Sequence, residues 1–219
     1  MDNELVKRFL SSIIILPLSI IFIFYGSIFF IFFLSILFLI CSYEWIKMNK
    51  KNIINKIYGI IFLIFSFYSA YEIRENVGFK FLLFIILVTV STDLGGYIFG
   101  KILKGPKLTA ISPNKTYSGL IGSFILSLIV GFIYIKNFSS PLGEIIQQKL
   151  PQIYNNYELN IFFLILLISF ISQVGDLIIS YFKRLAKIKD TGKILPGHGG
   201  ILDRIDGLIF VLPIFYIII

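Results

Sequence analysis

Apolar residues in this chain run in long blocks separated by short polar segments, with little strict alternation. Such blocks reach the roughly 20 residues that an α-helix needs to cross hydrocarbon. Backbone groups in hydrocarbon find no water, so each block is expected to be helical. Phe9 to Tyr43 is too long for one span, and Tyr25-Gly26-Ser27 offers a turn within it. That division gives helices at roughly 9–25 and 28–45, followed by spans at roughly 54–71, 79–100, 118–136, 160–182 and 205–219. The pattern predicts an all-α polytopic membrane protein of about seven transmembrane helices. Between the fifth and sixth spans, an outer loop at 137–159 contains Pro141 and Pro151, and its stretch Leu142 to Leu150 is expected as a short interfacial helix. Lys7 and Arg8 before an apolar run resemble a signal peptide, but no small-residue cleavage site follows, so a retained first helix is expected. No repeat at a fixed period interrupts this order.

Composition agrees with a bilayer environment. Hydrophobic residues make up 57% of the 219 residues and charged residues 15%, against about 25% charged in a soluble domain. The net charge of +8 does not indicate nucleic acid, because the basic residues sit in short loops between apolar blocks. With seven spans, all but four of the 20 Lys and Arg fall on the side of the N-terminus, and only Arg74, Lys80, Lys136 and Lys149 fall on the other. Positive loops stay inside, so a cytoplasmic N-terminus is expected, in a bacterial inner membrane. Cys41 is the only cysteine and His198 the only histidine, which excludes an internal disulfide and a zinc site. Residues 1–78 read as a variable set of membrane helices. Residues 79–219 read as the catalytic part, with cytoplasmic loops at 101–117 and 183–204.

Two acids lie inside spans: Asp93, in LVTVSTDLGGYIFG, and Asp176, in FISQVGDLIISYF. An intramembrane carboxylate is costly unless it meets a cation, a metal or water, although a protonated acid in a helix–helix hydrogen bond is a bland alternative. Gln173, Asp176, Ser180 and Lys183 share one helical face, and Asp93 and Tyr97 share another. After the sixth span comes KRLAKIKDTGKILPGHGGILDRIDGL, where Lys183, Arg184, Lys187, Lys189 and Lys193 adjoin Asp190, Asp203 and Asp206. Acids bind a divalent cation and bases bind phosphate oxygens, so the mixture suits a Mg²⁺–nucleotide substrate. Pro196-Gly197-His198-Gly199-Gly200 is a side-chain-poor turn whose N–H groups can cradle phosphate. His198 reads equally well as a general acid, a phosphate donor or a structural residue. Asp203 and Asp206 either cap the last helix or bring Asp203 against Asp176 around Mg²⁺. A second basic loop, GKILKGPKLTAISPNKTYSG, falls on the same side and completes a cavity open to both lipid and water.

These residues carry a specific resemblance. Ser180-Tyr-Phe-Lys183-Arg184, Lys189-Asp190, Pro196, His198-Gly199-Gly200 and Asp203-Arg204-x-Asp206 resemble, without a gap, the signature of the phosphatidate cytidylyltransferase (CDP-diacylglycerol synthase) family. Gln173-x-Gly175-Asp176, and Ser91-Thr92-Asp93 through Ser112-Pro113-x-Lys115-Thr116, resemble it too, from about residue 90 onward. Gly96 and Ser118 depart from the more usual alanine and glutamate. The resemblance implies condensation of CTP with phosphatidic acid to CDP-diacylglycerol and pyrophosphate. It implies Mg²⁺ on Asp176 and Asp203, phosphate oxygens held by Lys183, Arg184 and Lys189, and Arg204 among the catalytic residues. Asp190, His198 and Asp206 would support them, with Asp93, Lys115, Thr116 and Ser180 on the substrate wall and a homodimer as the assembly. Transfer of CMP to another membrane lipid phosphate, or an ion or proton path through Asp93 and Asp176, are the competing readings. A lipid-binding scaffold without catalysis ranks below both.

Overall fold

A computed structural model describes residues 17–50, 52–109, 112, 115–149, 157–194 and 199–219, with the backbone alone at 138–149 and 157–158. It is all-helical, and among the described residues the only β-pairing is an isolated bridge between Lys107 and Thr116. Helix α1 is described over 17–25, followed by α2 (Ser27–Met48), α3 (Ile53–Glu72), α4 (Phe79–Leu103), α5 (Tyr117–Lys149), α6 (Tyr157–Leu185), α7 (Leu202–Ile205) and α8 (Leu208–Ile218). A π turn, Ile73–Val77, extends α3. The long first apolar block does break at Gly26, whose φ of 65° no β-branched residue tolerates, and Ser27 follows at φ 48°.

Among the described residues, five helices are long and apolar enough to cross a membrane: Ser27–Met48, Ile53–Val77, Phe79–Leu103, Tyr117–Asn137 and Leu159–Leu185. They coincide with five of the seven expected spans. Most of the first expected span lies outside the described residues. The last is shorter than expected, because the apolar helix Leu208–Ile218 has 11 residues. Asp206 and Gly207 nevertheless keep helical dihedrals, so α7 and α8 form one interrupted helical run. The backbone of α5 continues to Lys149, absorbing most of the segment expected as a separate interfacial helix; Leu150 lies outside the described residues.

The surface and interior are arranged for oil outside. Phe24, Ile28, Phe32 and Ile102 are among many exposed large apolar side chains, while Ser66, Ser69, Thr89, Ser127 and Ser169 are buried. Most of the buried hydroxyls donate to their own helix, as Ser69 does to the Phe65 carbonyl and Thr89 to the Ile85 carbonyl. Phe81, Phe84, Ile85 and Val88 of α4 pack with Ile165 and Ile168 of α6 and with Val211 and Phe215 of α8. Among the described helices, α4 and α5 share the most extensive contact. A Cβ on Gly95 would stand 2.5 Å from the Gly122 carbonyl oxygen, and one on Gly119 would stand 2.7 Å from that of Gly96. Small residues here let two backbones touch, and dispersion replaces the hydrophobic effect that lipid does not supply.

Pro213 lies inside α8 and has no N–H, which removes the usual partner of the Ile209 carbonyl. Ser66 of α3 donates to that carbonyl at 2.7 Å. Ser66→Ala is expected to lower stability in detergent by about 1 kcal/mol, because an orphaned carbonyl in an apolar interior costs that much. Thermal unfolding of the purified protein checks this, and an unchanged midpoint would contradict it.

Three loops meet at one end of the bundle. The Trp45 ring at the end of α2 packs on Phe182 of α6 at 4.9 Å, and its indole N–H donates to the Asn55 carbonyl across the α2–α3 turn. The α4–α5 loop reaches α6 through Lys115 and Asp176. At the opposite end, Arg74 donates to the carbonyls of Ile23 and Phe24 at the end of α1. The described parts of the segments near 46–56, 101–117 and 183–204 thus lie at one end of the bundle.

Candidate functional site

The site is built at the three-loop end. On α6, Ser180 donates to Asp176 Oδ1 at 3.3 Å, and Lys183 follows less than one turn later. α6 ends in a Schellman-type turn: Ile188 N–H donates to the Lys183 carbonyl, and Lys187 takes a φ of 57°. This turn reverses the chain and carries Thr191 back toward α7. Lys183 then reaches Asp203 of α7, with Nζ 2.9 Å from Oδ1. Asp203 Oδ2 accepts the Thr191 N–H at 2.8 Å, the Gly200 N–H at 3.0 Å and stands 3.0 Å from the Thr191 hydroxyl. Both oxygens of Asp203 are thus engaged.

From the other side, the α4–α5 loop folds back on itself. Leu108 N–H donates to the Lys115 carbonyl at 2.8 Å, beside the Lys107–Thr116 bridge. This brings Lys115 Nζ to 2.5 Å from Asp176 Oδ2. Thr116 caps α5, its hydroxyl accepting the Gly119 N–H at 3.1 Å, so it also serves the helix. Asp93 of α4 is exposed and stands within range of the charges of Asp176, Lys115 and Arg204. Its helical neighbour Tyr97 instead faces outward, under the Lys101 ammonium at 5.6 Å. Asp206 is buried against Asp176, with Asp93 and Lys183 also in range, and its Oδ1 accepts the Gly207 N–H at 3.0 Å.

The structure therefore gathers Asp93, Lys115, Asp176, Ser180, Lys183, Asp203, Arg204 and Asp206 at one place. Arg184, Lys189 and Asp190 are exposed. His198 lies outside the described residues. The acid facing Asp176 is Asp206, whereas Asp203 is occupied by Lys183, Thr191 and Gly200. Two carboxylates side by side need a shared proton or a cation between them. Among the described residues, no three Asp, Glu, His or Cys side chains cluster as a metal site. Mg²⁺ needs only one or two carboxylates beside phosphates and water, so an oxygen-only pair with nearby lysines fits a phosphate-borne Mg²⁺.

One site residue is not expected from sequence. Glu44 of α2, 1% exposed, accepts the Ile201 N–H at 3.1 Å, the Leu202 N–H at 2.9 Å and lies 3.0 Å from the Thr191 hydroxyl. In the sequence it stands between Tyr43 and Trp45 at a span end, where a carboxylate reads as solvated. No local signal distinguishes it, because its partners lie 147 to 158 residues away.

Comparison with known proteins gives the chain's family. The model of the cytidylyltransferase family matches residues 52–219. The chain is 36% identical over 188 residues to the phosphatidate cytidylyltransferase of Staphylococcus haemolyticus, covering 83% of this chain and 65% of that protein. It is 35% identical over the same length to those of Staphylococcus saprophyticus and Staphylococcus aureus, with the same coverage. The chain thus spans 65% of the length of these curated relatives. It belongs to the cytidylyltransferase family.

Proposed function

We propose that this member of the cytidylyltransferase family condenses CTP with phosphatidic acid, forming CDP-diacylglycerol and pyrophosphate at the cytoplasmic face of a bacterial membrane. The observation that carries the reading is the meeting of Asp93, Asp176 and Asp206 with Lys115, Lys183 and Arg204 at the end of membrane-length helices. A lipid anion enters such a site from the bilayer and a nucleotide from water. The relatives' name, phosphatidate cytidylyltransferase, supports the choice of substrates.

In the proposed reaction an anionic phosphatidate oxygen attacks the α-phosphorus of CTP, and the bond to the β-phosphate breaks as pyrophosphate leaves. The nucleophile is already charged, so no strong base is needed, and catalysis rests on positioning and charge neutralisation. Lys115 and Lys183 bring positive charge to Asp176 and Asp203, and the exposed Arg184, Lys189 and Arg204 would extend it toward water for the leaving polyphosphate. Asp176 would hold Mg²⁺ with Asp203, as the family resemblance implies, and Asp206, buried against Asp176, is a further carboxylate within reach. The ion would supply neutralisation of the crowded phosphate charge. Ser180 orients Asp176 through its hydroxyl, and Asp203 orients Lys183. The assembly proposed is a homodimer, as the family resemblance implies.

The test is pyrophosphate release by the purified protein in detergent. It is expected to require CTP, phosphatidate and Mg²⁺ together and to stop on adding EDTA. Release without phosphatidate, release driven equally by a polyprenyl phosphate, or ion transport by proteoliposomes without CTP would overturn the assignment.

A further inference from the structure

Glu44 lies near the end of α2, outside the residues matched by the family model, and the proposed chemistry makes no use of it. A carboxylate is costly to bury unless fully bonded. The three contacts that meet this one all come from neutral donors: the Thr191 hydroxyl and the Ile201 and Leu202 N–H groups. The last two belong to the first turn of the helical run that carries Asp203, Arg204 and Asp206. The Thr191 hydroxyl stands 3.0 Å from both Glu44 Oε2 and Asp203 Oδ2, and Asp203 Oδ1 continues to Lys183. A single chain of contacts therefore runs from Glu44 through Thr191 and Asp203 to Lys183, joining α2, the α6–α7 loop, α7 and α6.

The same chain closes the loop at its base. Thr191 N–H and Gly200 N–H donate to one oxygen, Asp203 Oδ2. A Cβ on Gly200 would stand 2.1 Å from the Thr191 hydroxyl and 2.5 Å from Glu44 Oε2, so only glycine lets the two loop ends meet the carboxylate.

We propose that Glu44 is a positioning residue for the phosphoryl-transfer site: it sets the register of the 199–206 segment against α6, and so the placement of Lys183 and Asp206. This inference rests on the proposed CTP-dependent activity. It makes α2 part of the catalytic unit, although residues 1–78 read as a variable membrane region from sequence. A carboxylate that only stabilised the bundle would lower the unfolding midpoint and leave turnover of the folded fraction unchanged.

Glu44→Gln replaces one acceptor with an N–H₂ facing N–H donors while conserving shape. Its kcat is expected to fall by about 10- to 100-fold, the range for residues that orient a site's direct ligands, with KM for CTP little changed. Thr191→Val should reproduce the loss and Thr191→Ser should restore activity. The double variant Glu44→Gln/Thr191→Val should be no worse than either single change, as expected for residues acting as one unit. Amide hydrogen exchange of the substrate-free protein over 190–203 should quicken in Glu44→Gln. Wild-type kcat in folded Glu44→Gln, multiplying effects in the double variant, or unchanged exchange would overturn the proposal. If Glu44→Gln does not fold, the Thr191 pair carries the same test. A wild-type protein that releases no pyrophosphate would sink the proposed function, and the exchange experiment would still decide whether Glu44 holds the segment.

Discussion

Asp176→Asn is expected to leave a folded protein whose pyrophosphate release is slower by about 10²- to 10³-fold, the cost of losing one charge-stabilising group aimed at a reacting centre. Asn has nearly the volume of Asp, so packing around Gly175 and Phe210 is kept. What disappears is the negative charge that meets Lys115 at 2.5 Å and accepts from Ser180. Without it the proposed Mg²⁺ loses a ligand, and Lys115 loses the partner that holds the α4–α5 loop against α6. Because both effects act on the charged transition state, kcat and kcat/KM should fall together. Steady-state kinetics with CTP and phosphatidate measure this, beside a thermal midpoint to show that the fold survives. Near-normal turnover would remove Asp176 from the chemistry.

The second large effect concerns Lys183 and Asp203, whose side chains are 11% and 6% exposed. Removing one member of a buried ion pair strands the other charge, which costs about 3–5 kcal/mol. Lys183→Met should therefore unfold at clearly lower temperature in detergent and lose activity. Lys183→Met/Asp203→Asn should recover much of the stability, since no orphaned charge remains and Asn can still accept from Thr191 and Gly200. It should recover none of the activity, since the cation for phosphate is gone. A single variant with the wild-type midpoint would show that the pair is not buried in the working protein.

Helix identity is legible in the amino-acid pattern. Hydrocarbon forces each apolar block to bond its own backbone, and that is a property of the block alone. The break at Gly26 is legible because a turn needs a residue that accepts positive φ. The face of Asp176, Ser180 and Lys183 is legible because helical spacing is fixed, and these side chains do point into the site. The short last helix is not, because the expected span takes in Asp206 and Gly207 while the helical ladder is interrupted there. The course of α5 past Pro141 is likewise hidden, since proline is ordinarily a signal that a helix ends.

The site divides along the same line. Spacing puts Asp203 and Asp206 near each other but does not say which one meets Asp176. That depends on how the last helical run is rotated against α6, a rotation tied to Gly207 sitting against Ser172, where a Cβ would meet the hydroxyl at 2.3 Å. Glu44 and its bonds to Thr191, Ile201 and Leu202 depend wholly on which helix packs where. Short stretches of chain dictate the solvent, the helices, the side of the membrane favoured by charge and the residue types gathered for phosphate chemistry. Which carboxylate faces which cation emerges only when the helices pack. A pairing between distant helices is set by their relative rotation and depth, and neither quantity is written in any local pattern.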